Sequence, residues 1–395
     1  MTPPAAPERA LITLLSLAAF GSAVSMRVAD AQLPALAAGF GVSLAAAAQV
    51  ITLFAVAYGL LQLVMGPLGD RYGKWRVIAW ATLASAATAL ACALAPDFDS
   101  LLLARLAAGA TCAALIPLAM AWIGDAVPYE RRQGVLARFL LGQILGMAVG
   151  QWLGGVAADY DSWRAPFALL AVCFLGAGWA LWRARAAALA FAPLAPRSGR
   201  PLREMGYVLR QPWARVVLAV VFTEGLLLFG LIAFLATHLH LKHSLSLSWS
   251  GGIVTLYAFG GLVFALFARV FVRRLGEQGL AAAGGAAMTG GLLVVALSPT
   301  LWTAPLACFV AGLGFYMLHN TLQTNATQMA PQARGAAVSL FASVFFIGQT
   351  VGVALTALLV QRLGSTPVLA LGSLGLLALA LLFARLRSGH RHAEG

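Results

Sequence analysis

The sequence predicts an all-α integral membrane protein with twelve transmembrane helices in two six-helix bundles. Three observations predict it. Apolar residues make up 61% of the 395 residues and charged ones 10%, whereas a soluble domain carries about 25% charged residues; no single soluble core could hide that much apolar surface. Long apolar runs recur at the length needed to cross a hydrocarbon layer about 30 Å thick, which takes about 20 helical residues. Arg and Lys gather in alternate connections between those runs, as they do on the cytoplasmic face of a membrane protein.

The first six runs fall at 11–31, 47–67, 77–95, 100–122, 134–157 and 163–182, and the second six at 215–238, 251–270, 278–298, 301–326, 335–361 and 366–386. Run one, with Arg9 ahead of it and Ala29-Asp30-Ala31 at its end, has the outline of a signal peptide. Eleven further runs, and an even total that sets both termini on one side, argue for a retained span instead. Of the 26 Lys and Arg residues, Arg27, Arg164, Lys242 and Arg362 fall on the side opposite the termini and Arg105 lies inside span four; all others share the side of the termini. That asymmetry predicts an inner-membrane protein with both termini cytoplasmic.

Residues 183–214 interrupt the apolar pattern with Arg, Pro and Gly, as in APLAPRSGRPLREMG. The expected organisation is a first bundle over 1–182, a basic cytoplasmic linker over 183–214 and a second bundle over 215–395, the plan of transporters built from repeated halves. The halves echo one another faintly. Gly142-Gln143-x-x-Gly146 in span five matches Gly348-Gln349-x-x-Gly352 in span eleven, and Asp70-Arg71-Tyr72-Gly73 is answered by Arg273-Arg274-Leu275-Gly276.

The net charge of +13 raises the question of a nucleic-acid partner, but the basic residues sit in short connections and form no stripe on one face. Cys92, Cys112, Cys173 and Cys308 each lie within an apolar stretch without metal or disulfide spacing. No Gly-x4-Gly-Lys-Ser/Thr loop is present to cradle a nucleotide, and no nucleophile–base pair suggests an enzyme. No cofactor or metal is expected; the expected partners are a small-molecule solute, protons and the lipid bilayer, and the expected state is a monomer.

The connection after span two reads GPLGDRYGKWRVI. It resembles the signature loop of the major facilitator superfamily, with Gly66, Leu68, Asp70, Arg71, Gly73 and Lys74 in register and Trp75 departing from it. The resemblance implies two bundles that rock about a central site, and makes this loop a conformational switch. Its glycines suit a tight turn, and Asp70 suits the positive N-terminal end of a helix in the opposite half, span eleven being the candidate. The resemblance extends to Arg105 followed by Gly109 in span four, a pattern implicated in proton coupling in that family. A charge inside a span is costly and functional by default; the competing reading is a structural Arg satisfied by backbone carbonyls or an acidic neighbour. Gly142, Gly146, Gly150 and Gly154 in span five share one helix face and form a packing groove. The family's exporters carry a Gly-rich span five with a proline where this chain has Gln151. Span one also resembles the drug-exporter branch through Gln32-Leu33-Pro34.

Asp30 and Glu224 are alternative proton carriers, because burial favours the protonated carboxyl; Asp30 has the competing reading of a solvated helix end or a partner of Arg27. Phe54, Tyr58, His319, Asn320 and Gln323 are candidate walls of a substrate cavity, with Trp122, Phe315 and Tyr316 as further aromatic candidates and His319 equally readable as helix-to-helix glue. The resemblance implies proton-coupled export of small amphipathic or drug-like solutes. Import of a small metabolite, organic anion or sugar, or a sensor that moves nothing, are the alternatives.

Overall fold

The computed structural model describes residues 6–191 and 201–394, all of whose regular structure is helical. Eleven stretches are long and apolar enough to cross a membrane. One of them, Leu247–Leu297, has 51 residues and would be about 75 Å long if straight, more than twice the hydrocarbon thickness. It breaks at Gly276, whose φ of 62° and ψ of 179° suit glycine. Spans eight and nine are therefore 247–275 and 277–297, consistent with twelve crossings. The middle of the expected linker, with Arg197 and Arg200, lies outside the described residues; its flanks form the short helices Arg185–Phe191 and Pro201–Arg210.

Three spans are interrupted, each for a local reason. Span one runs as Ala6–Arg27, turns through Asp30–Gln32 and resumes as Leu33–Phe40, with Pro34 in the first turn where its missing amide hydrogen is harmless. Span four breaks between Phe98–Cys112 and Leu115–Ala126, where Pro117 removes a donor from the ladder. Span seven runs as Pro212–Glu224, widens into a π turn at Gly225–Phe229 and continues as Gly230–His243. Such turns loosen the backbone ladder and cluster at functional sites.

The internal repeat that the sequence only hinted at appears in the contact register. Along span five, Tyr129–Asp159, a methyl group added at Gly146 or Gly150 would meet the carbonyl oxygen of Phe20 or Val24 in span one at 2.6 Å. Gly154 lies as closely over Val28. In span eleven, Arg334–Leu363, Gly348 and Gly352 lie over the carbonyls of Phe222 and Leu226 in span seven. Each glycine sits over a carbonyl 126 positions earlier in both halves. Likewise Gly109 covers the Phe54 carbonyl and Gly312 covers that of Tyr257, 55 positions apart in both cases. Gly73 and Gly276, the ends of the two echoing loops, both have positive φ. These last equivalences are offset by 203 residues, and the glycines of span eleven lie 202 positions after Gly146 and Gly150 of span five; Gly146 therefore corresponds to Gly348, one turn away from the sequence pairing. Small residues at these crossings let backbones touch, which drives association where no hydrophobic force acts between helices.

Large apolar side chains such as Leu94, Leu103, Val172, Leu306 and Leu371 are exposed on the outside of the bundle. In water they would form an adhesive patch; lipid tails solvate them.

Candidate functional site

The charged groups buried within the spans form one pair that reaches across the seam between the halves and further groups set within each half. Asp30 follows Arg27 after the break in span one, and the turn folds its carboxylate back to accept a hydrogen bond from Arg27 Nη1 at 3.1 Å. Asp30 is fully buried and Arg27 is 5% exposed. Asp30 is thus no solvated helix end, and Arg27 is not a residue of an outer loop. The Arg27 guanidinium lies 4.2 Å from the centre of the Phe229 ring, in the π turn of span seven, so the pair reaches across the seam. A buried ion pair is stable only when its remaining polar atoms find partners. Asp30 Oδ1 and both polar side-chain atoms of Gln32 have none.

Arg105 is fully buried. Its Nε donates to the Val50 carbonyl at 3.1 Å and its Nη1 to that of Ser25 at 3.0 Å, and Phe54 covers its guanidinium at 4.3 Å. Arg105 therefore ties spans one, two and four together through backbone oxygens, two residues before Arg27. Its Nη2 has no partner. Tyr58 stacks on Phe54 with ring centres 5.8 Å apart and meets Phe346 of span eleven edge-on at 4.6 Å.

Glu224, the last residue before the π turn, is fully buried. Its Oε2 accepts from Nδ1 of His319 in span ten at 2.8 Å, while Oε1 has no partner. The rings of Phe345, Phe315 and Phe341 stand 4.8, 5.0 and 5.5 Å from the imidazole. A carboxylate and an imidazole in such apolar surroundings offer two adjacent seats for one proton.

Between these pairs lies a cavity of about 40 Å³ whose walls include Arg27, Gln151, Phe229, Tyr257, Phe315 and Tyr316. Gln151 Nε2 and the Tyr257 hydroxyl have no hydrogen-bond partner. Of the residues expected to wall a cavity, Phe315 and Tyr316 line this one, and Phe54, Tyr58, Trp122, His319, Asn320 and Gln323 do not. Phe54 covers Arg105, Tyr58 packs between Phe54 and Phe346 of span eleven, His319 is bonded to Glu224, Asn320 is half-buried and Gln323 exposed. The residues that sequence reasoning missed are Arg27 and Tyr257. Arg27 carried a signal, an Arg three positions before a carboxylate in an apolar run; Tyr257 is one aromatic among many.

The two ends of the seam differ. At one end, Asp159 closes span five and accepts hydrogen bonds from the amides of Leu247 and Ser248 at 2.7 and 2.8 Å. It sits on the N-terminus of span eight, where backbone amides and the helix dipole favour an anion. Beneath it Gly155 packs on Leu247, and Gly251 on the Gln151 carbonyl. At the other end, which carries the 66–78 loop, the ion pairs among the described residues stay within one half. Lys74 pairs with Asp125 and lies 3.6 Å from Asp70; Arg131 pairs with Glu8 and Arg387 with Glu277. Asp70 has its ion partner in its own loop rather than in span eleven, Gly66 leaves open space, and Arg71 lies over the Tyr72 ring.

Comparison with known proteins follows this geometry. The sequence model described as Major Facilitator Superfamily matches residues 15–353. YceJ, an MFS-type transporter of Bacillus subtilis strain 168, is 27% identical over 83% of this chain and 84% of its own. The multidrug export protein EmrB of Escherichia coli K12 is 30% identical over 38% of this chain and 29% of its own. The puromycin resistance protein pur8 of Streptomyces alboniger is 36% identical over 37% of this chain and 30% of its own. The chain thus spans under a third of either resistance protein. Among solved structures, a bacterial homologue of the human lysosomal transporter Spinster, inward-facing and occupied, superimposes with a TM-score of 0.76 at 19% identity, covering 98% of both chains. A peptide transporter bound to sulfate gives 0.77 at 16% identity, covering 95% of this chain and 94% of its own. Likeness at that identity establishes the fold.

Proposed function

The chain belongs to the major facilitator superfamily, and from that premise we propose that it is a proton-coupled exporter of small amphipathic solutes working by alternating access. The observation that carries the proposal is the Glu224–His319 pair. One carboxylate oxygen is bonded to the imidazole and the other is unpartnered in an apolar setting. An intramembrane carboxylate of this kind has no packing purpose that a glutamine would not serve, so its proton is its use. Arg105 holds the spans that frame the Arg27–Asp30 pair, and Asp30 is the second carboxylate able to change charge during the cycle.

Export is the direction suggested by EmrB and pur8 over the portion they share with this chain. With the basic end cytoplasmic, the end closed by Asp159 faces outward. In that arrangement a solute loads from the cytoplasm, and a proton taken up outside by Glu224 returns inward down its gradient.

Energised inverted vesicles and right-side-out vesicles from cells producing the protein test this reading on a panel of amphipathic dyes. Solute accumulation in inverted vesicles that collapses when the proton gradient is discharged is expected, with Glu224→Gln abolishing the coupling. Accumulation confined to right-side-out vesicles makes the protein an importer, and coupling that survives Glu224→Gln removes the pair from the mechanism.

A further inference from the structure

The cavity at the seam indicates the charge of what it holds. Its charged wall is Arg27, and neither Asp30 nor Glu224 lines it. A guanidinium has five N–H donors; one bond to Asp30 is present, which leaves donors to spare. Two further polar groups of the wall lack partners: the Gln151 amide nitrogen and the Tyr257 hydroxyl. Gln151 is 4% exposed, so water does not satisfy it from outside, and an unmet buried donor costs about 1–3 kcal/mol. Three donor-bearing side chains from spans one, five and eight thus line one space, and two of them have a polar atom without a hydrogen-bond partner. The rest of the wall is apolar but for Thr255, and it includes the rings of Phe229, Phe315 and Tyr316.

Building on the transport reading above, we propose that the solute is an amphipathic anion, an aromatic or alkyl carboxylate, whose head group seats against Arg27, Gln151 and Tyr257. The volume of about 40 Å³ holds roughly three waters' worth of probe space, which suits a carboxylate and not a whole drug-sized molecule. The apolar remainder of the solute lies against the aromatic rings. A cation is disfavoured, because it would meet the Arg27 charge in a low-dielectric seam, where like charges repel strongly. The seating also explains the unpaired oxygen of Asp30: a carboxylate ligand and Asp30 share one guanidinium, so the ligand binds best when Asp30 has taken a proton. Besides Arg27 and Asp30, the ionisable groups facing this region are Arg105 from span four, Glu224 from span seven, Tyr257 from span eight, and Tyr316 and His319 from span ten.

Three probes of one shape separate the classes on the purified full-length protein in detergent: 2-naphthoate, 2-naphthamide and 2-naphthylmethylamine, read by thermal shift and calorimetric titration. The expected order is naphthoate tightest, the amide at least tenfold weaker and the amine weaker still. Arg27→Lys retains naphthoate binding in part. Arg27→Gln combined with Asp30→Asn, which leaves no unpaired charge, loses at least tenfold for naphthoate and little for the amide. Tighter binding of the amine, or naphthoate affinity unchanged in the double variant, overturns the proposal. The vesicle assay reads the transport reading separately. Flux of cationic dyes without naphthoate binding sinks this inference and leaves transport standing; Arg27-dependent naphthoate binding without flux of any solute does the reverse.

Discussion

The two ends of the seam are built from the same materials and do opposite work. Each end has a carboxylate beside a helix terminus and a glycine turn or groove. At the Asp159 end the carboxylate crosses to the other half and takes two amides of span eight. At the Asp70 end the carboxylate stays beside Lys74, and Lys74 is held by Asp125 of the same half. The difference shows that the closed end is joined by backbone-directed bonds and close packing, whereas the other end keeps each bundle internally braced. Two braced bodies joined at one end are what a rocking mechanism needs, because interfaces that pack switch between discrete arrangements.

The largest effect is expected from Gly155→Leu. Its side chain would occupy the place of the Leu247 carbonyl, and backbone on both sides leaves nothing able to move aside. Closure of that end should fail outright, with transport falling to background while the protein still purifies as a folded, monodisperse species. Normal transport by this variant would mean that the Asp159 end need not close as tightly as it does here.

Asp159→Asn is the gentler break. A hydrogen bond to a charged group contributes about 1.5–3 kcal/mol, roughly twice a neutral one. Losing the charge but not the shape should cost about 1–2 kcal/mol of closure, a five- to thirtyfold change in the ratio of states. Spin labels on cysteines introduced at the exposed Tyr160 and Trp249, in a background lacking the exposed Cys173, would read it as a growing long-distance population. An unchanged distance distribution would make Asp159 an ornament of the packing rather than its clasp.

The same comparison explains what could be read from the sequence. The bilayer fixes span length and loop charge, so the crossings, the basic loops and the superfamily resemblance were legible. The crossing registers were not. Glycine spacing in span five announced a groove, but only the fold shows that it holds span one, and that span eleven holds span seven in the same register. The charged site was half legible. Asp30, Arg105 and Glu224 stood out because charge inside a span is costly. Their partners depend on which helices meet: His319 lies 95 positions from Glu224, and Tyr257 becomes a wall only because span eight faces span five. Phe54 and Tyr58, expected as substrate walls, lie outside the cavity, because an aromatic beside a charged residue serves as readily to cover it. Phe54 does so for Arg105.

The smallest effect on the conformation described here, and the most informative in sign, is expected from Asp70→Asn. Asp70 is about one-third exposed and 3.6 Å from Lys74, a surface pair that contributes about 0–1 kcal/mol. If the loop resembles its family in clasping a helix terminus of the other half when the basic end closes, neutralising Asp70 weakens that alternative state alone. The Tyr160–Trp249 label pair should then show the short-distance population holding or rising, opposite in direction to Asp159→Asn, while transport slows because one of the two states has become harder to reach. A shift in the same direction for both variants would mean that the two carboxylates do not guard opposite ends of one equilibrium. The symmetry of the two ends would then be one of sequence and shape rather than of mechanism.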